Sequence, residues 1–195
     1  KKVTMDMIKK SPIVASPLRL FDCSIPSNGA AAVILSKDKS DIEVTGAGLS
    51  TSNLTSFERE DMTSWNSTIN SAKAAYSQSG ITPKDIDIVE IHDAFTPVEL
   101  ISYEDLGFCK KGEGPNLIRE GITKINGALP VNTSGGLKAK GHPISATGIS
   151  QIYELVLQLR GQADKRQVDN IKYALAHNIG GAGSIASVHI LKKAM

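Results

Sequence analysis

The chain has few of the features that mark secreted, membrane-spanning or nucleic-acid-binding proteins. Its 195 residues include 2 cysteines, Cys23 and Cys109, which stand far apart and have no metal-ligand spacing. No apolar run approaches the ~18 residues of a membrane-spanning helix, and no apolar segment follows the first residues as a secretory signal would require. The net charge is +2 with both signs interspersed. We therefore expect a cytoplasmic protein that binds no metal, no nucleic acid and no membrane.

What the sequence does contain is a regular succession of apolar patterns. Hydrophobic residues make up 41% of the chain, enough for a sizeable core, and the length suits one domain or slightly more. A charged break over 37–41 marks a candidate domain boundary. Patterns typical of strands and helices alternate, which predicts an α/β fold with a mixed sheet and helices on both faces. The predicted strands lie at 30–35, 42–49, 86–91, 171–176 and 185–191, and the predicted helices at 65–80, 96–106 and from 149 onward.

A glycine-rich stretch over 132–148 surrounds one histidine, His142. Glycine permits sharp bends and close approach to a ligand, and the proline after this histidine restricts the backbone further. The stretch therefore predicts a rigid loop that aims one imidazole at a site. Apolar residues then recur at helical spacing, which predicts the buried face of a helix: Ile149, Ile152, Tyr153, Val156 and Leu159.

Three further histidines lie near predicted strands. His92 stands where a strand gives way to a helix, and ligands of open α/β sheets gather outside the carboxyl ends of strands. The next helix has the start signals of Thr96 as N-cap, proline at the first helical position and Glu99 three residues after the cap. His177 begins a predicted loop over 177–184, and His189 is most simply a structural strand residue.

Four segments resemble, in the same order, motifs of the thiolase superfamily: 24–32, His92-Asp93-Ala94-Phe95, 134–148 with its Gly-His-Pro, and 177–181. The pattern is similar to the carboxy-terminal half of archaeal-type and sterol-carrier-protein-type acetyl-CoA acetyltransferases. The resemblance implies a thiolase-like carboxy-terminal domain over 39–195, with a mixed five-stranded sheet and helices on both faces. Residues 1–38 would then be the tail of the amino-terminal thiolase domain.

The resemblance also implies roles for individual residues. His142 corresponds to the histidine that activates the nucleophilic cysteine, since a neutral imidazole can take the thiol proton and then hold the thiolate. His92 corresponds to a residue that holds a thioester oxygen. Gly180 corresponds to a glycine whose backbone N–H lines a second oxyanion hole, and Ser24 to a serine that contacts pantetheine.

Each of these roles has a structural alternative. His92 could cap the helix that follows it, and His177 could be a core histidine with its hydrogen bonds satisfied. Asn178 could simply occupy a left-handed turn position. Lys138 and Lys140 could reach the phosphates of CoA, although solvated loop lysines are the more common case.

The family carries its reactive cysteine in the amino-terminal half, so the resemblance implies a nucleophile outside this chain. Cys23 and Cys109 suit packing or surface positions better. The implied activity is that of an acetyl-CoA acetyltransferase that makes or cleaves acetoacetyl-CoA, with CoA thioesters as substrates and no cofactor. This chain is therefore expected to be an acyltransferase only as part of a longer chain or complex, and to be inactive alone.

Two other functions are compatible with the motifs. One is a thiolase-like aldolase that acts on a β-hydroxyacyl-CoA, and the other is a non-catalytic scaffold subunit that binds CoA. The implied partners are an acyl-CoA substrate, further copies of the same protein in a homo-oligomer, 3-hydroxy-3-methylglutaryl-CoA synthase and a small zinc-ribbon/OB-fold protein.

The sequence departs from its relatives at the second acid/base. Conventional thiolases have a cysteine where Asn178 stands, and sterol-carrier-type enzymes have one where Ala94 stands. Neither asparagine nor alanine titrates. We therefore predict that His92 both donates to an oxyanion and carries the proton, with His177 as the second candidate.

Overall fold

The computed structural model describes residues 2–194. The strands are β1 (Ile13–Ala15), β2 (Leu18–Arg19), β3 (Ile42–Thr51), β4 (Ile88–Glu90), β5 (Tyr173–Gly180) and β6 (Ile185–Lys193). The helices are α1 (Met5–Lys10), α2 (Asn66–Ser79), α3 (Thr96–Asp105), α4 (Gly114–Arg119), α5 (Gly136–Lys140) and α6 (Thr147–Arg160). Among the described residues there is no helix with the length and apolar character needed to cross a bilayer.

The main sheet is mixed, as the sequence predicts. Its strand order is β3-β6-β5-β4, with β3 and β5 antiparallel to β6 and β4 parallel to β5. Strands β1 and β2 form a separate two-stranded ribbon. The parallel pair requires a crossover, and the chain between β4 and β5 contains α3 to α6.

Helices cover both faces of this sheet, which confirms the predicted layering. On one face, α2 and α3 bury apolar residues against the sheet: Ala72, Ala75, Ile86, Val89, Ile91, Tyr103, Leu106, Leu175, Val188 and Ile190. On the other face, α6 does the same with a smaller set: Ile88, Leu155, Leu159, Ala174, Ala176 and Leu191. Alternate residues of β4 and β5 therefore face opposite cores.

The sheet has four strands rather than the expected five. A fifth segment does approach β4, but Val131 and Val89 form only an isolated parallel bridge. Val89 N–H donates to the Pro130 carbonyl (3.0 Å), and Asn132 N–H donates to the Val89 carbonyl (2.8 Å). Pairing does not extend further because proline has no N–H and Asn132 turns to a φ of +53°.

The strand predicted over 30–35 is absent. This segment has no regular secondary structure, and Ile34 and Leu35 are 97% and 79% exposed. A buried strand needs neighbours that satisfy its backbone N–H and C=O groups, and no strand of the main sheet lies beside this segment. Its apolar side chains consequently face outward.

Helix α6 buries only part of the predicted face: Leu159 is buried and Ile152 and Val156 pack against the core, but the buried face also includes polar residues. Ile149 and Tyr153 remain 37% and 53% exposed, whereas Gln151 is almost fully buried. The reason is a hydrogen bond, because the Gln151 side-chain amide donates to the backbone carbonyl of His177 in β5 (3.0 Å). Ile149 and Tyr153 thus stay exposed while Ile152 packs against the sheet.

Two local predictions also need correction. Strand β5 continues to Gly180, so His177 lies within a strand, opposite Val188 of β6, and not in a loop. Helix α3 has Phe95 rather than Thr96 as its N-cap. The Thr96 hydroxyl donates instead to Asp22 (3.1 Å), so the expected capping box does not form.

Helix α2 lies unusually close to β3, because the strand carries glycine at two positions that face the helix. A Cβ at Gly48 would overlap the backbone carbonyl of Ser71, and a Cβ at Gly46 would overlap that of Ala75. These glycines are needed for close packing rather than for a turn.

We expect Gly48→Ala to lower the free energy of unfolding by about 1–3 kcal/mol, because the added methyl group forces the helix off the strand. Ala47→Ser is a matched control, since it adds one atom to the exposed face of the same strand and should change stability by less than about 0.5 kcal/mol. Denaturant unfolding measures both. Equal stability of the two variants would contradict this account of the helix–strand contact.

Candidate active site

One open cleft of about 1590 Å³ lies along the edge of the sheet where β4 and β5 end. It brings together most of the residues that the motifs single out. Those that line it are Ser24, His92, His142, Asn178 and Gly180. His177 does not line it. Its apolar walls include Trp65, Phe95, Ile144 and Ile149.

His92 is placed by the end of a buried strand. It follows the last residue of β4 by two positions and is 8% exposed. Burial, and then the nearby imidazole of His142, lower the pKa of His92 to about 4. At neutral pH this imidazole is therefore uncharged and can either donate or accept one hydrogen bond.

His142 is placed by backbone pairing with the amino-terminal segment. Its N–H donates to the Ile25 carbonyl (2.9 Å), and its carbonyl accepts from Ser27 N–H (3.4 Å). Gly141 precedes it with a φ of +92°, a conformation that favours glycine. Burial lowers the pKa of His142 as well, so the uncharged base predominates near neutral pH.

The loop that carries His142 is anchored by Asp93. This buried carboxylate accepts hydrogen bonds from the backbone N–H groups of Leu137 (2.6 Å) and Lys138 (3.4 Å), at the start of α5. A negative charge is favourable at a helix N-terminus. A Cβ on Gly136 would overlap the Asp93 carboxylate, so this contact depends on glycine at that position.

The two imidazoles meet directly. Their ring centroids are 5.1 Å apart and their planes are inclined by 86°, an edge-to-face contact. In each ring Nδ1 is buried without a hydrogen-bond partner among the described residues. Nε2 is therefore the nitrogen that can serve a substrate in the cleft.

Gly180 lies at the carboxyl end of β5, just before the turn Gly181–Gly183. A Cβ at this position would come within 2.9 Å of the Ile185 side chain, so the position has no room for a larger residue. The side-chain amide of Asn178, which also lines the cleft, donates to Gln151 of α6 (3.2 Å). This bond holds the asparagine in place between strand and helix.

The segment around Ser24 joins the two histidine-bearing loops. Ser24 N–H donates to the Ala94 carbonyl (2.8 Å), and Cys23 forms an isolated bridge with Phe95, so the segment is tied to the corner after β4. One residue further on, Ile25 accepts from His142. The position of Ser24 beside both histidines is a consequence of this double pairing.

His177 lies apart from the cleft. It is fully buried on the α2 side of β5, where its Nε2 is 3.0 Å from the Thr68 hydroxyl. Burial lowers the pKa of His177 to about 3. Its surroundings are those of a core histidine.

The remaining candidates are engaged elsewhere. Lys138 pairs with Glu99 (3.1 Å), and Lys140 donates to Ser134 (2.9 Å). Cys109 packs against the α2-side core, and burial raises its thiol pKa to about 11. Within residues 2–194, no cluster of His, Cys, Asp and Glu side chains is arranged to hold a metal ion.

Sequence reasoning missed two buried carboxyls behind the cleft, those of Glu90 and Asp93, which are 1% and 2% exposed. A signal was present, because Glu90 interrupts the apolar run 88–91 and Asp93 lies two residues after it. Acidic residues are almost never fully buried unless they are paired. An acidic residue at each of these positions therefore indicates a hydrogen-bond partner elsewhere in the chain.

The mixed sheet and this cleft define a protein of thiolase-like fold. The chain belongs to the thiolase C-terminal domain-like family, whose model matches residues 48–193.

Curated relatives agree with this membership. An acetyl-CoA acetyltransferase of Methanothermobacter thermautotrophicus is 46% identical over 199 residues, which cover 98% of this chain and 52% of the relative. Human sterol carrier protein 2 is 38% identical over 194 residues, covering 93% of this chain and 36% of that protein. The chain therefore spans about half the length, or less, of these relatives.

Solved structures show the same architecture. The Ltp2-ChsH2(DUF35) aldolase matches with a TM-score of 0.84 and 26% identity, over 99% of this chain and 52% of that one. Human mitochondrial 3-ketoacyl-CoA thiolase matches with a TM-score of 0.67 and 22% identity, over 100% and 44% of the two chains. The latter match concerns the fold alone.

We expect His92 to stay uncharged in the folded chain until the pH falls to about 4, because its ring is buried beside His142. An unfolded histidine takes its proton near a pKa of about 6.5. Because the unfolded chain binds more protons between these values, His92 makes the fold less stable as the pH falls through this window.

Glu90 acts in the opposite sense, since burial raises its pKa to about 7. The pH dependence of the net free energy of unfolding therefore does not report the pKa of His92 alone. An NMR titration of the histidine ring protons, assigned by the loss of one signal in His92→Gln, measures it directly. The same chain in denaturant is the control, and a midpoint near the unfolded value in the folded chain would refute the prediction.

Proposed function

We propose that this chain is the carboxy-terminal half of an acetyl-CoA acetyltransferase, which makes or cleaves acetoacetyl-CoA. The observation that carries the proposal is the pair of uncharged imidazoles, His92 and His142, in one cleft with the Gly180 backbone. The nucleophilic cysteine would lie outside this chain. The similarity to an archaeal acetyl-CoA acetyltransferase over nearly all of the chain supports this function.

The outward apolar surface supports a second half that covers the cleft. Ile149 and Tyr153 of α6 and the extended Ile34 and Leu35 are exposed in the chain as it stands, and three of these four line the cleft. A contiguous exposed apolar patch commonly marks an interface. In the proposed complete protein these side chains face the amino-terminal half, which also delivers the cysteine.

His142 would activate that cysteine. Its Nε2 faces the cleft and its lowered pKa keeps it unprotonated near neutral pH, so it can accept the thiol proton. The resulting imidazolium then stabilises the thiolate by a charge-assisted hydrogen bond. The thiolate attacks the thioester carbonyl, CoA leaves as a thiol, and an acyl-enzyme forms.

His92 and Gly180 would serve the two developing oxyanions. The His92 ring, held against His142, presents Nε2 to the cleft. Gly180 lines the cleft at the end of β5, and its backbone N–H would be the second donor. Donors placed before charge develops lower the barrier without reorganisation during the reaction.

The second proton transfer falls to His92 in this proposal: its Nε2, unprotonated at that step, would take the α-proton and then, as an N–H, donate to the oxyanion. Asn178 and Ala94 occupy the positions where relatives carry a cysteine, and neither side chain titrates. His177, the other candidate, is sealed behind β5 and bonded to Thr68. This burial supports His92, which reaches the cleft, as the group that removes the α-proton.

An aldolase acting on a β-hydroxyacyl-CoA is the second candidate. Its support is the structural similarity to the Ltp2-ChsH2(DUF35) aldolase, together with the absence of a titratable side chain at Asn178 and Ala94. Retro-aldol cleavage needs a base for a hydroxyl proton but no nucleophilic thiol. A partner subunit, such as a zinc-ribbon/OB-fold protein, and a homo-oligomeric state also belong to the proposal.

We expect His142→Asn, in the full-length protein, to slow both thiolysis of acetoacetyl-CoA and alkylation of the cysteine by iodoacetamide by about 10²–10⁴-fold, because no base takes the thiol proton. His189→Asn is the control, since His189 is a strand residue elsewhere on the cleft wall. This chain alone should show no thiolysis. Unchanged alkylation in a folded His142→Asn protein would refute the role.

We expect His92→Gln to abolish exchange of the acetyl-CoA methyl protons with D₂O and to lower kcat by at least about 10²–10³-fold, since it removes the proton carrier and perturbs an oxyanion donor. His177→Gln should leave exchange intact if the protein folds. Loss of exchange only in His177→Gln would reverse the two assignments. If wild type with its cysteine shows neither exchange nor thiolysis, the aldolase or the CoA-binding scaffold replaces the thiolase.

A further inference from the structure

Behind the cleft lies a buried carboxyl group that the proposed reaction does not use. Glu90 is the last residue of β4, two positions before His92, and is 1% exposed. It does not line the cleft, so it cannot touch a substrate there. A carboxyl in this setting is costly to bury unless hydrogen bonds offset the lost hydration.

The hydrogen bonds of Glu90 run to the segment that carries His142. One carboxyl oxygen accepts from the Ser134 backbone N–H (3.0 Å), and the other pairs with the Ser134 hydroxyl (2.6 Å). That hydroxyl also accepts from the ammonium of Lys140 (2.9 Å), which lies 3.9 Å from the Glu90 carboxyl. One buried group thereby holds both ends of α5.

Helix α5 has little means of holding its own shape. It is 5 residues long, it is preceded by Gly135 with a φ of +98°, and it is followed by Gly141 with a φ of +92°. Isolated helices this short are unstable in water. External contacts must therefore fix the position of the end of α5. Because His142 follows Gly141 directly, the same contacts fix the position of His142.

Glu90 and Asp93 divide this task between them. Asp93 caps the start of α5 through Leu137 and Lys138. Glu90 holds Ser134, two residues before the helix. Through the Ser134 hydroxyl it is also linked to Lys140, the last residue of the helix. Without Glu90, Ser134 loses both of its anchors to β4, and the Lys140–Ser134 bond no longer ties the end of α5 to the sheet.

We propose that Glu90 is a positioning residue for His142, acting through Ser134 and Lys140. The inference rests on the proposed function, in which His142 activates a cysteine. A displacement of about 1 Å at a catalytic group can cost on the order of 10²-fold in rate. Residues 136–140 of α5 do not line the cleft, so binding of the CoA ester there should change much less.

The test is made in the full-length protein with Glu90→Ala. Alkylation of the cysteine by iodoacetamide should slow by about 10- to 100-fold, and kcat should fall by a similar factor with little change in KM. Glu90→Gln keeps an oxygen that accepts from Ser134 N–H and should restore more than half of the loss on a logarithmic scale. A residue that only supports the fold would lower stability without this split between kcat and KM.

Glu154→Ala is the matched control. Glu154 is a second buried glutamate, and it accepts its two charge-assisted hydrogen bonds from Arg166 (3.1 and 3.0 Å). Its contact with the loop is one long bond from the Thr133 hydroxyl (3.5 Å), and none of these bonds reaches α5. It should lose stability like Glu90→Ala while alkylation changes by less than about 3-fold. All rates are compared at a temperature where near-UV circular dichroism shows each variant to be folded.

A second variant keeps the inference testable if Glu90→Ala does not fold. Ser134→Ala removes the hydroxyl that links Glu90 to Lys140, and should slow alkylation in the same direction without adding to Glu90→Gln when the two are combined. Full additivity, or wild-type alkylation in the Glu90 and Ser134 variants, overturns the inference. If His142→Asn itself leaves alkylation unchanged, the proposed function fails and this inference fails with it.

Discussion

The structure depends on a set of hydrogen bonds that join the end of β4 to a loop more than 40 residues away. Asp93 accepts from Leu137 across a separation of 44 residues, and Glu90 holds Ser134 across the same separation. The loop itself has too many glycines and too short a helix to keep one shape alone. Hydrogen bonds to the end of β4 hold the loop in one conformation, and the sheet thereby fixes the position of His142.

Burial sets the protonation state of the groups at this edge. It lowers the pKa values of His92 and His142, so both rings are uncharged near neutral pH. The same loss of solvent raises the pKa of Glu90 to about 7, although the Ser134 bonds and the nearby Lys140 act against this shift. Burial thus favours the uncharged form of the two imidazoles and of the carboxyl behind them, by shifting their pKa values in opposite directions.

Helix α6 buries polar side chains next to apolar ones and leaves some apolar side chains exposed. Its buried side carries Gln151, which bonds to the β5 backbone, and Glu154, which bonds to Arg166. Its apolar residues Ile149 and Tyr153 line or flank the cleft instead. Under the proposed function this outer stripe meets the missing half, so the helix is central in the complete protein and half-covered in this chain.

The sequence by itself determined the α/β class, most element positions, and the motifs that carry Ser24, His92, His142 and Gly180, because apolar periodicity and glycine spacing are local properties. It did not determine which side chains meet. The strand predicted over 30–35 is absent because no strand of the main sheet lies beside it. The predicted loop at His177 is strand because β6 lies alongside to pair with it.

Only the tertiary structure decided that His92 and His142 touch, that His177 faces the core, and that Glu90 and Asp93 hold the loop. Each of these contacts joins segments far apart in the chain, and local patterns contain no information about such distances.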